Sequence, residues 1–133
     1  MAGEIHSTVP VHPITPDLRA PGGHYSHVTV ANGFVFVSGQ LPITVTGEKL
    51  TSSPFIAQVE QVLHNLERAL HGAGSSIDRL VQVRAYIDDI SSWPAFNEIY
   101  ARWAGSAYPS RAIVPTGPLH FGLKVEVEAV AIL

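Results

Sequence analysis

The sequence predicts an α+β fold in which a mixed β-sheet of four to six strands carries two helices on one face only. Three observations predict it: an apolar pair of strands joined by Asn-Gly, two amphipathic helical segments separated by a strand, and two further strands at the C-terminus. Right-handed crossovers bring both helices to the same side of a sheet. We therefore expect the order β-β-α-β-α-β-β to leave the other face uncovered.

The chain is long enough for one domain with its own hydrophobic core. It has 133 residues, and domains commonly contain about 100–150. Charged residues make up 14% of it, against about 25% in an average soluble domain, while 46% are hydrophobic. No apolar stretch approaches the roughly 20 residues of a membrane-spanning helix, and residues 1–20 lack the apolar region of a signal peptide. We therefore expect a cytoplasmic protein.

The composition also excludes several classes of function. The chain has no cysteine, which excludes disulfide bonds, cysteine-ligated zinc, iron–sulfur clusters and thiol catalysis. Its formal net charge is −3, so we expect no extended contact with a nucleic-acid backbone. Residues 1–22 are rich in proline and glycine and are predicted to form an extended arm, whereas residues 23–133 are predicted to form a single domain.

A β-hairpin is the clearest local prediction. Two runs rich in β-branched and aromatic residues, 27–30 and 34–37, flank Ala31-Asn32-Gly33. Asn-Gly favours a tight type I′ turn, which requires a positive φ at both central residues. We expect the second strand of this hairpin to end in Ser38-Gly39-Gln40.

Two segments have the periodicity of amphipathic helices. The first follows Ser53-Pro54, predicted as N-cap and first helical position, and ends at the glycines of residues 72–74. The second starts after Ser91 or Ser92 and ends at Gly105, with aromatic residues along one face.

Three further strands complete the predicted sheet. They are residues 80–87, 111–116 and 123–133. In the first of them, alternation places four apolar residues on one side: Val81, Val83, Ala85 and Ile87.

The last strand predicts how the molecule assembles. One face carries Val125, Val127, Ala129 and Ala131, and the other carries Glu126, Glu128, Val130 and Ile132. Because both helices are expected on the first face, the apolar residues of the second face would meet water at a cost near 25 cal/mol per Å² unless another subunit covers them. We therefore expect an obligate oligomer.

Six segments occur in an order that is characteristic of one known family. They are YSH (25–27), VFVSGQLP (35–42), QVEQVLHNL (58–66), FNEIY (96–100), YPSR (108–111) and VEVEAVA (125–131). Together they resemble the RidA (YjgF/YER057c/UK114) family of reactive-intermediate deaminases. The resemblance extends from about residue 23 to the C-terminus.

The resemblance implies a chorismate-mutase-like fold that forms homotrimers, with the sheets around a central barrel and clefts between subunits. It implies hydrolytic deamination of short-lived enamines and imines, such as 2-aminoacrylate, to 2-keto acids and ammonia, which is a form of metabolite damage control. It implies neither a metal nor an organic cofactor. The expected partners are small enamine or imine carboxylates, with no nucleic acid and no membrane.

Arg111 is the first candidate site residue. An isolated arginine is most often a surface cation in a weak ion pair. Here it follows Tyr108-Pro109-Ser110 at the start of an apolar strand, where a fixed guanidinium can bind a carboxylate through two hydrogen bonds. The resemblance implies that Arg111 holds the carboxylate of the substrate.

Glu126 and Glu128 leave the same face of the last strand, because they are two residues apart. Either they belong to a solvated polar stripe, or they are partly buried and their repulsion raises at least one pKa. A carboxylate of the second kind can orient or deprotonate a water molecule. The resemblance implies that Glu126 positions the attacking water and that Glu128 is structural.

Four further residues are implied as substrate-binding. Tyr25 lines the cleft in the family, and main-chain groups of Ser38 and Gly39 contact the nitrogen end of the substrate. Asn97 either supports the site or is an ordinary helix residue that hydrogen-bonds a neighbouring loop. The alternative for Tyr25 is an aromatic residue at the rim of the cleft with no role in binding. The histidines do not place three ligands together, so no metal site is predicted.

Three departures from the family pattern concern the cleft. His27 stands where the family usually has Gln, and the segments Ala112-Ile113 and Leu119-His120-Phe121 also differ. These differences favour a larger enamine as substrate, an aminomuconate-like acid for instance.

Three other functions stay open from the residues alone. A non-catalytic trimer that senses a small carboxylic acid would use Arg111 equally well. RNA cleavage, an activity ascribed to some relatives, is disfavoured by the net charge of −3. A chaperone-like activity would need exposed apolar surface, much of which a trimer would bury.

Overall fold

The computed structural model describes residues 8–133, so residues 1–7 of the predicted arm lie outside the described residues. It confirms one mixed, five-stranded sheet with two helices packed on one face. The strands are β1 (Val28–Ala31), β2 (Phe34–Gln40), β3 (Leu80–Ile87), β4 (Ser110–Pro115) and β5 (Val125–Ile132). The helices are α1 (Phe55–Gly72) and α2 (Trp93–Ala104).

The C-terminal strand β5 lies at the centre of the sheet. The strand order is β1-β2-β5-β3-β4, and β5 is antiparallel to both of its neighbours. Only β3 and β4 run parallel, and the connection between them contains α2. Ala129 of β5 is paired with Val37 of β2 and with Val83 of β3, so this register fixes the relative position of all central strands.

The hydrophobic core lies between the sheet and the two helices. The inward residues of β5 are buried as predicted: Val125, Val127, Ala129 and Ala131. Helix α1 packs over them with an apolar stripe of buried residues: Val59, Val62, Leu63, Leu66, Ala69 and Leu70. Helix α2 adds Phe96 and Ile99 to the same core.

The opposite face of the sheet carries no helix among the described residues. Its apolar side chains are half-exposed, with 44% of Phe34, 47% of Phe36 and 41% of Ile132 open to solvent. The charged residues Glu126 and Glu128 lie on this face as well, which confirms the predicted alternation of β5. We call this surface the open sheet face.

Two local predictions were wrong by one position. Helix α1 has Pro54 rather than Ser53 at its N-cap, because the Ser53 amide already donates to the Leu50 carbonyl in a turn and its carbonyl accepts from the Gln58 side chain. Val81 is 43% exposed instead of buried, because the pairing of β3 with β5 contains an extra residue at this point.

The remaining boundaries agree with the sequence to within two residues. Asn32 and Gly33 have φ values of 52° and 82°, as the type I′ turn requires. Helix α2 begins directly after Ser92 and ends before Gly105. In the described part of the chain, none of the helices is long and apolar enough to cross a membrane.

The described part of the N-terminal arm packs against the domain. Val11 forms an antiparallel bridge with Val30 at the β1 edge of the sheet, and Leu18 is buried in the core. The division into an arm of residues 1–22 and a domain of residues 23–133 stays a prediction.

Candidate functional site

Arg111 lies on the helix-covered side of the sheet at the start of β4. Its Nη1 donates a hydrogen bond of 2.9 Å to Oδ1 of Asn97, and its guanidinium carbon lies 4.8 Å from the centre of the Tyr100 ring. Both partners are uncharged and both belong to α2. Among residues 8–133, no carboxylate lies within 4 Å of Arg111. The guanidinium is therefore fixed in direction while its charge is not neutralised.

A cavity of about 390 Å³ opens beside this guanidinium. Asn97, Tyr100, Tyr108 and Arg111 line it together with small residues from the end of α2. The Tyr100 hydroxyl is buried and has no hydrogen-bond partner among the described residues, and this burial raises the pKa of Tyr100. The arrangement suits the carboxylate of a small molecule, because the planar guanidinium of Arg111 can donate two parallel hydrogen bonds to it.

Glu126 lies on the open sheet face, half-buried against the backbone of Gly39. A Cβ atom added to Gly39 would stand 2.1 Å from Oε2 of Glu126, so only glycine leaves room for the carboxylate here. Burial raises the pKa of Glu126, the neighbouring Glu128 adds to this rise, and His120 opposes it. A carboxylate with a raised pKa is a better base toward a bound water molecule.

Glu128 has its own partners on the same face. The Tyr86 hydroxyl donates to Oε1 of Glu128 at 2.5 Å, and Nη1 of Arg84 lies 3.9 Å from the same oxygen. The hydrogen bond to Glu128 raises the pKa of Tyr86. These two residues of β3 occupy the carboxylate of Glu128, and its structural role stays a prediction.

Tyr25 and Ser38 line a common cavity of about 570 Å³ at the β1–β2 side of the molecule. The Ser38 hydroxyl donates to the Ser26 carbonyl at 2.6 Å, so it holds the preceding loop. Tyr25 stays 42% exposed, with its ring edge-on to His27 at 5.8 Å between ring centres. Ser38 and Gly39 lie where the β2–β5 register shifts, between Val37 and Gln40.

His27 is a buried histidine that joins three segments behind Tyr25. Its Nε2 donates to the Arg19 carbonyl at 2.7 Å, and its Nδ1 accepts from Nε2 of Gln40 at 3.1 Å. Gln40 donates a second bond of 3.1 Å to the Ser38 carbonyl. Both ring nitrogens are satisfied only by the neutral imidazole, and burial lowers the pKa of His27.

The described chain does not bring all of the predicted site residues together. Arg111 is paired with Val83, whose side chain is buried under the helices, whereas Glu126 is paired with Tyr86 on the open sheet face. Strand β5 lies two strands away from β4, which is about 10 Å. One group therefore contains Arg111 and Asn97, and a second contains Tyr25, Ser38, Gly39 and Glu126.

Comparison with known proteins identifies the family. The family model described as Endoribonuclease L-PSP matches residues 17–133. The yeast protein HMF1 is 35% identical over 112 residues, which is 84% of this chain and 86% of that protein. The chain belongs to this family, which is the RidA family predicted from the sequence.

Solved structures of RidA-family proteins have the same fold. The conserved Rid protein YyfA from Yersinia pestis has a TM-score of 0.90 and 30% sequence identity, and the match covers 94% of this chain and all of that one. The protein TdcF from E. coli, solved with bound serine, has a TM-score of 0.86 and 26% identity, covering 92% of this chain and 98% of that one.

Three residues of this RidA-family site were missed from the sequence. Tyr100 stacks on Arg111 and could have been found, because it is three positions after Asn97 on one helix face. His120 influences Glu126 from a short helical turn of residues 120–122, and Tyr86 bonds Glu128 across strands. The Tyr86 contact has no local sequence signal, because it depends on strand register. The segment that contains His120 was predicted to differ at the cleft, but not to act on Glu126.

The structure also bears on metal binding. Within residues 8–133, no three histidine, aspartate or glutamate side chains are grouped closely enough to hold a metal ion. The ring nitrogens of His27 are instead hydrogen-bonded to the Arg19 carbonyl and to the side-chain amide of Gln40.

The first prediction concerns stability below neutral pH. The pKa of His27 is lowered, so the stabilisation from its neutral ring is complete above about pH 6.5, its ordinary value, and is lost as pH falls through the pKa of the folded state. In His27→Gln this dependence should disappear. Thermal unfolding of both proteins from pH 8 to pH 5 measures it: the melting temperature of the wild type should fall more steeply. If the melting temperatures of the two proteins changed with pH in parallel, the lowered pKa of His27 would be contradicted.

The second prediction concerns Gly39 and Glu126. In Gly39→Ala the new methyl group must displace the Glu126 carboxylate, because it would otherwise lie 2.1 Å from Oε2. The carboxylate then moves toward solvent, and the pKa of Glu126 should fall toward its ordinary value. A carbon-detected NMR titration of the glutamate side chains measures this. Gly117→Ala, at a position with open space around it, is the control, and an unchanged Glu126 titration in Gly39→Ala would refute the contact.

Proposed function

We propose that the protein hydrolyses reactive enamines and imines derived from amino acids to 2-keto acids and ammonia, and that it does so in the cytoplasm. The observation that carries this proposal is the guanidinium of Arg111, which is fixed by two uncharged residues, lacks an acidic partner among the described residues and faces a cavity. Membership of the RidA family supports it. So does the bound serine of TdcF, since serine is a small molecule with an α-carboxylate and an α-nitrogen.

The proposed mechanism uses Arg111 to hold the substrate carboxylate. Tyr25 and the backbone at Ser38-Gly39 hold the remaining atoms. The enamine tautomerises to the imine by protonation of its β-carbon, and a water molecule oriented by Glu126 then attacks C2. The resulting carbinolamine loses ammonia and leaves the 2-keto acid. Free imines already hydrolyse in water, so positioning of the reactants supplies the acceleration that is required.

A shared site between copies of the chain is part of the proposal. Arg111 and Glu126 leave opposite faces of one sheet, so within one chain they cannot contact the same small substrate. The half-exposed apolar residues of the open sheet face, Phe34, Phe36 and Ile132, favour contact with another copy. A homotrimer, as the family resemblance implies, would bring Arg111 of one copy toward Glu126 of the next.

The third prediction tests the roles of Arg111 and Glu126. In Arg111→Ala the acceleration of imine hydrolysis should be lost, because the guanidinium that holds the substrate α-carboxylate is removed. In Glu126→Gln the loss should be smaller, about 10²-fold or less, if the carboxylate orients water without taking its proton. The measurement is ammonia release from 2-aminoacrylate generated in situ, against the rate in buffer.

Arg102→Ala is the matched control for this experiment. Arg102 is exposed on α2 and pairs with Glu98 at 3.5 Å, so its removal should leave activity unchanged. Full activity of Arg111→Ala would overturn the carboxylate clamp. Tight binding of a 2-keto acid by the wild type without any turnover would instead establish the sensor function.

The fourth prediction concerns assembly. The wild type should sediment as a trimer at micromolar concentration, because the open sheet face is apolar. Phe36→Glu places a charge on this face and should shift the protein toward monomers. Ile56→Glu, at a 54% exposed position on α1, is the control and should leave the trimer intact. A wild-type monomer in analytical ultracentrifugation would refute the shared site.

A further inference from the structure

A third cavity, a cleft of about 590 Å³, lies beside Tyr25 and is lined with positive charge. It is formed by the loop that precedes β1, the loop that follows β2 and the short turn at residues 120–122. Its polar lining includes Arg19, Lys49 and His120, and none of the lining residues within the described range 8–133 is acidic. We call it the cationic cleft.

The walls of the cationic cleft are apolar and aromatic. Leu41 and Ile43 are buried at its base, and Tyr25 and Phe121 stand at its sides. The base is held by the Asn65 side chain of α1, which donates 2.9 Å hydrogen bonds to the carbonyls of Leu41 and Ile43. These surfaces suit a short hydrocarbon chain rather than a second polar group at this depth.

Phe121 is held in its wall position by specific contacts. Its φ of 60° lies in the left-handed region, which is unfavourable for a bulky residue. The Thr51 hydroxyl donates to the Phe121 carbonyl at 2.9 Å, and Nζ of Lys49 lies 4.6 Å from the centre of the Phe121 ring. The ring thus places the ammonium group of Lys49 at the cleft.

Lys49 and Arg19 have no acidic partner in the described structure. Within residues 8–133, no carboxylate lies within 4 Å of Lys49 or Arg19. Arg19 donates a hydrogen bond of 3.2 Å to the backbone carbonyl of Ala20. An anion entering the cleft would therefore meet unneutralised charge on a partly enclosed surface.

The cationic cleft adjoins the second group of site residues. Tyr25 lines both this cleft and the cavity that contains Ser38. His120 lines the cleft and is close enough to Glu126 to oppose the rise of its pKa. A substrate whose reacting carbon lies near Glu126 can therefore extend its side chain into the cleft.

We propose that the cationic cleft binds a second carboxylate at the far end of the substrate, with Lys49 as its principal cation and Phe121 as its wall. The preferred substrates are then enamines or imines of acidic amino acids or of longer dicarboxylic acids. This inference rests on the proposed function, in which Arg111 already holds the first carboxylate. The cations of the cleft are additional to that clamp, and a substrate with a neutral side chain would leave them without a partner.

The fifth prediction tests this inference with two imines of equal chain length. They are generated in situ by an amino-acid oxidase, one from glutamate and one from norvaline, and the remaining imine is trapped with semicarbazide. The wild type should hydrolyse the glutamate imine with the higher kcat/KM. Lys49→Met should lower kcat/KM for the glutamate imine about tenfold and change that for the norvaline imine less than about twofold, since only the first has a carboxylate for Lys49.

Arg102→Met is the matched control, because it removes a cation from the exposed side of α2 and should change neither rate. Phe121→Ala should weaken the preference for the glutamate imine through the loss of the wall that places Lys49. An unchanged preference in Lys49→Met would overturn the inference. An equal fall for both imines would also overturn it, because the cleft would then bind the α-carboxylate.

Failure of the proposed function gives a different result. In that case the wild type accelerates hydrolysis of neither imine, and calorimetry with the corresponding keto acids tests the cleft instead. Binding of 2-oxoglutarate that is stronger than binding of 2-oxopentanoate, and that weakens about tenfold in Lys49→Met, would support the cleft. Equal binding of the two keto acids would refute it.

Discussion

The pairing of β5 between β2 and β3 is the constraint on which the rest of the structure depends. Every second residue of β5 is buried under α1, so the residues between them have to leave the opposite face. A shift of one residue would bury Glu126 under the helices and expose the alanines. Strand β3 pairs with β5 on one side and with β4 on the other, where Val83 is paired with Arg111. The register of these strands therefore decides which face each charged residue occupies.

This alternation explains both the low charge of the chain and the separation of its site residues. A protein with 14% charged residues has few with which to cover a sheet, and the open sheet face is indeed lined by half-exposed phenylalanines and Ile132. Arg111 and Glu126 lie on opposite faces of the same sheet. In the proposed function, association through the open face both removes apolar surface from water and completes the site.

The secondary structure could be predicted closely because its signals are local. The Asn32-Gly33 turn, the apolar stripe of α1 and the period-two pattern of β5 each depend on residues a few positions apart. The errors arose where another hydrogen bond or a shift in strand pairing competed with a local preference. Ser53 lost the N-cap position because its backbone bonds elsewhere, and Val81 became exposed because β3 gained a residue relative to β5.

The sequence by itself determined the family, the element order and the identity of the candidate residues Arg111, Glu126, Tyr25 and Gly39. Only the tertiary structure decided their surroundings: the uncharged partners of Arg111, the raised pKa of Glu126 against Gly39, and the cationic cleft beside Tyr25. The physical reason is that side-chain periodicity is a property of consecutive residues, whereas burial, pKa and charge neutralisation depend on groups up to 100 or so positions apart that strand register brings into contact.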